Sequence, residues 1–175
     1  MRCEANEGGC VGTAGVPVKR LSVREELCSG CRACEVACVA QHDLRFGTAT
    51  ARIRVVKIEP LGIDQPHVCR LCRPAPCLEA CPTGALYRDQ VTGAVLLEAD
   101  ECIGCSACAD ACPFEMAALH PEISLALICD LCGGAPVCVK RCATGAIAYA
   151  DVEEEPRAEP EAQTFSACVG SGTVE

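Results

Sequence analysis

The sequence predicts an α+β fold of short helices and small antiparallel sheets that does not rest on a large apolar core. Nineteen of the 175 residues are cysteine, aromatics make up only 3% and tryptophan is absent. So few large side chains bury little apolar area, and disulfides or metals are the usual substitutes. Sixteen of the cysteines fall into four compressed quartets, with β-branched runs and turn residues between them.

The run from Cys102 to Pro113, CIGCSACADACP, sets the pattern. Cys102, Cys105, Cys108 and Cys112 stand at spacings of two, two and three intervening residues, followed by proline. A C-x2-C-x2-C loop can curl around a cube and deliver three thiolates to three iron corners. Small residues between them (Gly104, Ser106, Ala107) let backbone amides approach the sulfur atoms. The fourth cysteine, in a helical first turn, points away and ligates the other cluster of a pair in bacterial two-cluster proteins. The stretch therefore predicts a partner stretch.

In chain order, residues 1–20 read as a flexible, Gly-rich segment in which Cys3 and Cys10 are free thiols. Cys28, Cys31, Cys34 and Cys38 repeat the spacing, with Val39 in place of proline and a short helix expected to Gln41. Thr48 to Ile58 reads as a strand with one face inward, ended by Pro60 and Gly62. Cys69, Cys72, Cys77 and Cys81 follow, then Pro82, with a short helix from Leu78 and a turn at Gly84. Val91 to Glu98 reads as a hairpin around Thr92-Gly93. After the Cys102 quartet, Leu125 to Ile128 leads into Cys129, Cys132, Cys138 and Cys142, with Ala143 where proline would stand. From Asp151 the chain reads as a disordered acidic tail, and Cys168 within it as a free thiol.

The quartets form an internal repeat. ELCSGCRACEVACVAQ matches DECIGCSACADACPFE at an offset of 74, and HVCRLCRPAPCLEACPTGALY matches LICDLCGGAPVCVKRCATGAIAY at 60 to 61. The order A-B-A′-B′ is what duplication of a two-motif unit would leave. Tyr87 and Tyr149 fall at near-equivalent places and read as packing beside a cluster rather than as electron relays.

Net charge is −9, and the tail contributes seven acids against one arginine. No basic stripe marks a nucleic-acid interface. Four oxidised cubanes would each add about −2, which favours docking to basic faces of redox partners. No signal peptide, twin-arginine leader or membrane span is read from the sequence, so a cytoplasmic location is expected and metal ligation is favoured over disulfides. Zinc is the main rival metal, but its four ligands usually come as two close pairs separated by a longer loop. His42, His67 and His120 are not spaced as a ligand pair and read as surface residues or neighbours of a ligand. Pairs such as Glu25-Glu26 read as solvated, and no phosphate loop, nucleophile elbow or HExxH is present. No catalytic residue is assigned.

With these quartets the chain resembles the four-cluster ferredoxin subunits that serve molybdenum and tungsten oxidoreductases, formate dehydrogenases and hydrogenases. The resemblance covers about residues 20 to 150. It implies four 4Fe–4S clusters on two bacterial-ferredoxin-like modules organised around them. The outer module would be formed by 21–60 with 125–150 and the inner by 61–124, between the flexible segment 1–20 and the tail 151–175. It implies ligand exchange: Cys28, Cys31, Cys34 and Cys142 for one cluster; Cys129, Cys132, Cys138 and Cys38 for its neighbour. Cys69, Cys72, Cys77 and Cys112 would hold the third, and Cys102, Cys105, Cys108 and Cys81 the fourth. The implied role is relay of single electrons between a catalytic oxidoreductase subunit and a second redox partner such as a flavin subunit or ferredoxin. A tungsten or molybdenum aldehyde oxidoreductase is the leading partner, with a hydrogenase or formate dehydrogenase second. Stacking of the chain with copies of itself is a further expectation. A redox sensor or cluster carrier is the alternative from a different class, and it would need labile clusters.

Overall fold

The segment Val18–Val23 forms β1, which pairs antiparallel with β8, Ile147–Val152, near the far end of the described chain. The computed structural model describes residues 18–44 and 46–152. Cys3, Cys10, Cys168, most of the expected flexible segment and nearly all of the acidic tail lie outside those residues. Both terminal strands run past the expected limits, since β1 begins before residue 21 and β8 ends after residue 150. The strand order 18–23 with 147–152 juxtaposes the first and last quartets.

Helix α1, Ala33–His42, carries Cys34 and Cys38 and ends one residue beyond the expected Gln41. Val39 permits this length, because it supplies the helix-interior amide that proline would lack. Where Pro113 follows the last cysteine of the repeat, the matching helix α3 spans only Ala107–Asp110. Helix α2, Pro76–Glu79, opens on a proline in the first helical turn, where its missing amide is no loss. Helix α4 spans Val137–Arg141. α1 packs on α4, and α2 on α3.

Three hairpins lie between β1 and β8 among the described residues. β2, Arg54–Ile58, and β3, Ile63–His67, are joined by a turn in which Gly62 has φ +63°. The strand expected from Thr48 thus starts at Arg54. Thr50, Ala51 and Ile53 are buried instead in an irregular stretch beside α1, with the Thr50 hydroxyl donating to Asp43. β4, Leu86–Arg88, pairs with β5, Val95–Leu97. This corrects the expected hairpin: its first strand begins at Leu86, while Val91 lies in the turn, 91% exposed. The Asp89 carboxylate accepts from Thr92 N at 2.9 Å and fixes that turn around Gly93. The short strands β6, Ala118–Leu119, and β7, Ala126–Leu127, were not foreseen.

The α+β class of short helices and small antiparallel sheets holds. Among the described residues, four two-stranded sheets form and none joins a larger sheet. Two apolar clusters form, one around Leu21, Val39, Ile53, Val68, Leu71 and Leu131, the other around Ala75, Leu86, Val95, Ala117 and Ile128. Leu131, 1% exposed, contributes about 2–3 kcal/mol by burial. Cysteines line both clusters. No helix among the described residues is long and apolar enough to cross a membrane.

Candidate metal centres

The cysteine loops are bent in a regular way. Gly30 and Arg32 of the first quartet have φ of +63° and +57°, and their repeat partners Gly104 and Ser106 have +66° and +64°. Leu71 and Leu131, also repeat partners, have +52° and +56°. Alternating left- and right-handed backbone turns successive amides toward one concave side, a cradle for anionic groups. Non-glycine residues adopt that region at a cost, so these loops are held by their surroundings.

The loops bring the predicted residues together. Cys81, Cys102, Cys105 and Cys108 line one cavity, together with Thr83 and Leu119. Cys38, Cys129, Cys132 and Cys138 line another, with His42, Arg52 and Asp130. In each, three cysteines come from one quartet and the fourth from a distant one. Cys72, Cys77 and Cys112 lie close enough for their charges to repel one another, as do Cys69 and Cys112. Cys28 and Cys142 both pack on the apolar cluster that holds Cys34.

Burial pushes most of these thiols up: Cys34 and Cys77 to about 11, Cys69 and Cys138 to about 12, with Cys129 also well above the usual range. Cys38, Cys72 and Cys108 move the same way for the same cause. At Cys81 and Cys142 burial also pushes upward, but hydrogen bonds outweigh it and both thiols end lowered. The Thr83 hydroxyl stands 3.6 Å from Cys81 Sγ, and the Thr144 hydroxyl 3.6 Å from Cys142 Sγ. The repeat has thus kept a hydroxyl two residues beyond each of these cysteines. Backbone amides serve the other pair: Arg52 N donates to Cys38 Sγ and Met116 N to Cys112 Sγ, both at 3.3 Å.

Thiols gathered in fours around these two cavities, with amides and hydroxyls near sulfur, fit a soft metal or an iron–sulfur cluster. Carboxylate or imidazole ligation is not needed to complete the sets.

Several residues that matter to these sites were not foreseen. Arg20, 6% exposed, donates from Nη1 to the carbonyls of Arg70 at 3.1 Å and Leu71 at 3.2 Å. Arg88 Nη2 donates to the Cys72 carbonyl at 2.7 Å. Two guanidinium groups therefore clamp the carbonyls of the Cys69–Cys72 loop. Glu35, 4% exposed, accepts from Val55 N at 2.7 Å and adds to the upward push on Cys34. A buried polar residue beside a cysteine in a helix was the available signal for Glu35. Nothing local in the sequence marked Arg20.

His42 lies beside Cys132, whereas His120 is buried rather than at the surface, its Nδ1 accepting from Glu122 N at 3.2 Å. Tyr149 packs on the first apolar cluster near Cys129, as expected. Tyr87, in contrast, is 47% exposed, because its position on β4 faces outward.

Residues 63–152, which hold twelve of the sixteen cysteines, match a family described as a 4Fe-4S dicluster domain. The chain is 44% identical over 120 residues to the aliphatic sulfonate oxidoreductase, polyferredoxin-like subunit, of Pyrococcus furiosus, covering 69% of each chain. It is 35% identical over 168 residues to the protein NrfC of Escherichia coli, covering 82% of this chain and 74% of that one. It is also 35% identical over 143 residues to the thiosulfate reductase electron transfer subunit PhsB of Salmonella typhi, covering 74% of each.

Proposed function

Since the chain belongs to the 4Fe-4S dicluster domain family, we propose that it is a non-catalytic electron-transfer subunit of an oxidoreductase complex, carrying four 4Fe–4S clusters. The ligand sets proposed are Cys28, Cys31, Cys34 and Cys142; Cys38, Cys129, Cys132 and Cys138; Cys69, Cys72, Cys77 and Cys112; and Cys81, Cys102, Cys105 and Cys108. The observation that carries this reading is the pair of cavities, each lined by three thiols of one quartet and the fourth of another. A zinc site would not need that exchange. The first two sets make the outer module and the last two the inner.

When bound, each cluster supplies a one-electron couple. The proposed order of the sites is Cys31 site, Cys132 site, Cys72 site, Cys105 site. It is supported by thiols of different sets that lie near enough for their charges to interact: Cys34 with Cys138, Cys129 with Cys69, and Cys77 with Cys108. Cys31 and Cys105 are exposed, so each end of the row meets solvent where a partner can dock.

The partner is taken to be a catalytic subunit with a tungsten or molybdenum pterin, with a hydrogenase or formate dehydrogenase second. The names of the relatives, a sulfonate oxidoreductase subunit and a thiosulfate reductase subunit, support an oxidoreductase partner without fixing its substrate. A flavin subunit or ferredoxin would take the other end, in the cytoplasm. Stacking of copies end to end is also proposed, and light scattering that found only monomers would remove it.

Iron and acid-labile sulfide analysis of anaerobically purified protein tests the reading, with electron paramagnetic resonance during stepwise reduction. About sixteen of each per chain, with interacting spins, is expected. Zinc in place of iron would overturn it. Only one or two stable cubes would favour a cluster carrier.

A further inference from the structure

We propose that His42 donates its Nε2–H to the Cys132 thiolate and holds the potential of that one cluster above the value its cysteines alone would set. The proposal rests on the assignment of Cys38, Cys129, Cys132 and Cys138 to a common cluster.

The geometry fixes the proton. His42 Nε2 lies 3.7 Å from Cys132 Sγ and 3.5 Å from Asp130 Oδ1. A ligating thiolate and a carboxylate are both acceptors. Nε2 between them must carry hydrogen, whatever the charge on the ring. Asp130 is itself held: Arg52 Nη1 reaches its Oδ2 at 2.8 Å, and Cys132 N donates to its Oδ1 at 2.9 Å. With the His42 side chain only 14% exposed, water competes weakly for the bond. Reduction adds negative charge to the cluster and its sulfurs, so a donor aimed at sulfur favours the reduced form.

The local sequence explains why His42 reaches this sulfur. Cys38 and His42 are four residues apart and share one face of α1. Val39, standing where proline follows Cys81 and Cys112, lets the helix continue as far as His42. Arg52, whose amide donates to Cys38 and whose guanidinium holds Asp130, closes the other side.

The repeat isolates the feature. At the offset of 74 the partner of His42 is Met116, and at 60 the partner of Asp130 is Arg70. The related Cys72 site therefore has no imidazole and no acid at these places. Arg70 instead lies over the Phe114 ring, 5.5 Å from its centroid. Of these two related sites, only the Cys132 site has the histidine–aspartate pair.

Redox titration of the full-length holoprotein, followed by paramagnetic resonance, tests the proposal with His42→Phe and His42→Asn. His42→Phe should move one midpoint to lower potential and leave three in place, at unchanged iron content. His42→Asn, which keeps an N–H donor, should restore part of the shift. A second readout uses the wild type alone, labelled with 15N-histidine. Its reduced protein should show hyperfine coupling to one imidazole nitrogen, lost in His42→Phe. Four unmoved potentials, or no nitrogen coupling in the wild type, would overturn the proposal while leaving the four-cluster reading intact. A shortfall of iron in the wild type would overturn that reading instead, and the nitrogen coupling would still decide for or against the bond. If His42→Phe loses iron, the wild-type coupling again decides.

Discussion

Gly104 and Ser124 approach so closely that a methyl group on the first would lie 2.6 Å from the carbonyl oxygen of the second. Gly104 also holds φ +66°. Gly84 has a similar φ of +72° but open space around it. Gly84→Ala should therefore cost about 1–2 kcal/mol for its backbone alone. Gly104→Ala should cost more, because the β6–β7 turn must also move. Anaerobic denaturant titration of the two variants gives the comparison, and equal losses would mean that the turn yields freely.

Cys105→Ala should remove the cluster at the exposed inner end. Iron should fall from about sixteen to about twelve per chain. The second apolar cluster, which Cys81, Cys102, Cys108 and Cys112 line or join, should loosen with it. Full iron content with native melting would refute the proposed ligand set.

Val39→Pro supplies the residue that follows Cys81 and Cys112. In this setting it removes an amide from the interior of α1, at a cost of about 3 kcal/mol. The helix should stop short of His42, and circular dichroism should show the loss. An unchanged helix content would show that the missing proline does not set the length of α1.

Thr83→Val and Thr144→Val remove hydroxyls that stand 3.6 Å from Cys81 and Cys142. Each should lower the midpoint of one terminal cluster, the inner and the outer respectively. Redox titration reads both. Shifts confined to the two middle clusters would contradict the assignment of these cysteines to the ends.

How much of this was legible follows from where the information sits. Cysteine spacing is local, so the four quartets, the repeat and the helix after Cys34 could be read directly. Gly62 and Gly84 announced turns because positive φ needs little else. The β1–β8 pairing was hidden, since nothing near Val18 points to Ile147. Arg20 was hidden for the same reason: its acceptors lie about fifty positions away. The start of β2 was misplaced because Thr48–Ile53 alternates as a strand does but is tied down by Cys38 and Asp43. His42 was seen as a neighbour of a ligand at most, because only the fold brings Asp130 and Cys132 to it.

The sheet that joins Val18–Val23 to Ile147–Val152 has a consequence for the order of events during synthesis. The outer site lined by Cys38 needs Cys129, Cys132 and Cys138, so it cannot close until nearly the whole described chain has left the ribosome. The stretch from Cys69 to Cys112 is finished much earlier and has its own hairpin, β4–β5. Contacts between distant positions form slowly, and local ones first. The nascent chain should thus pass through a stage with its inner half closed and the thiols of its first quartet still waiting.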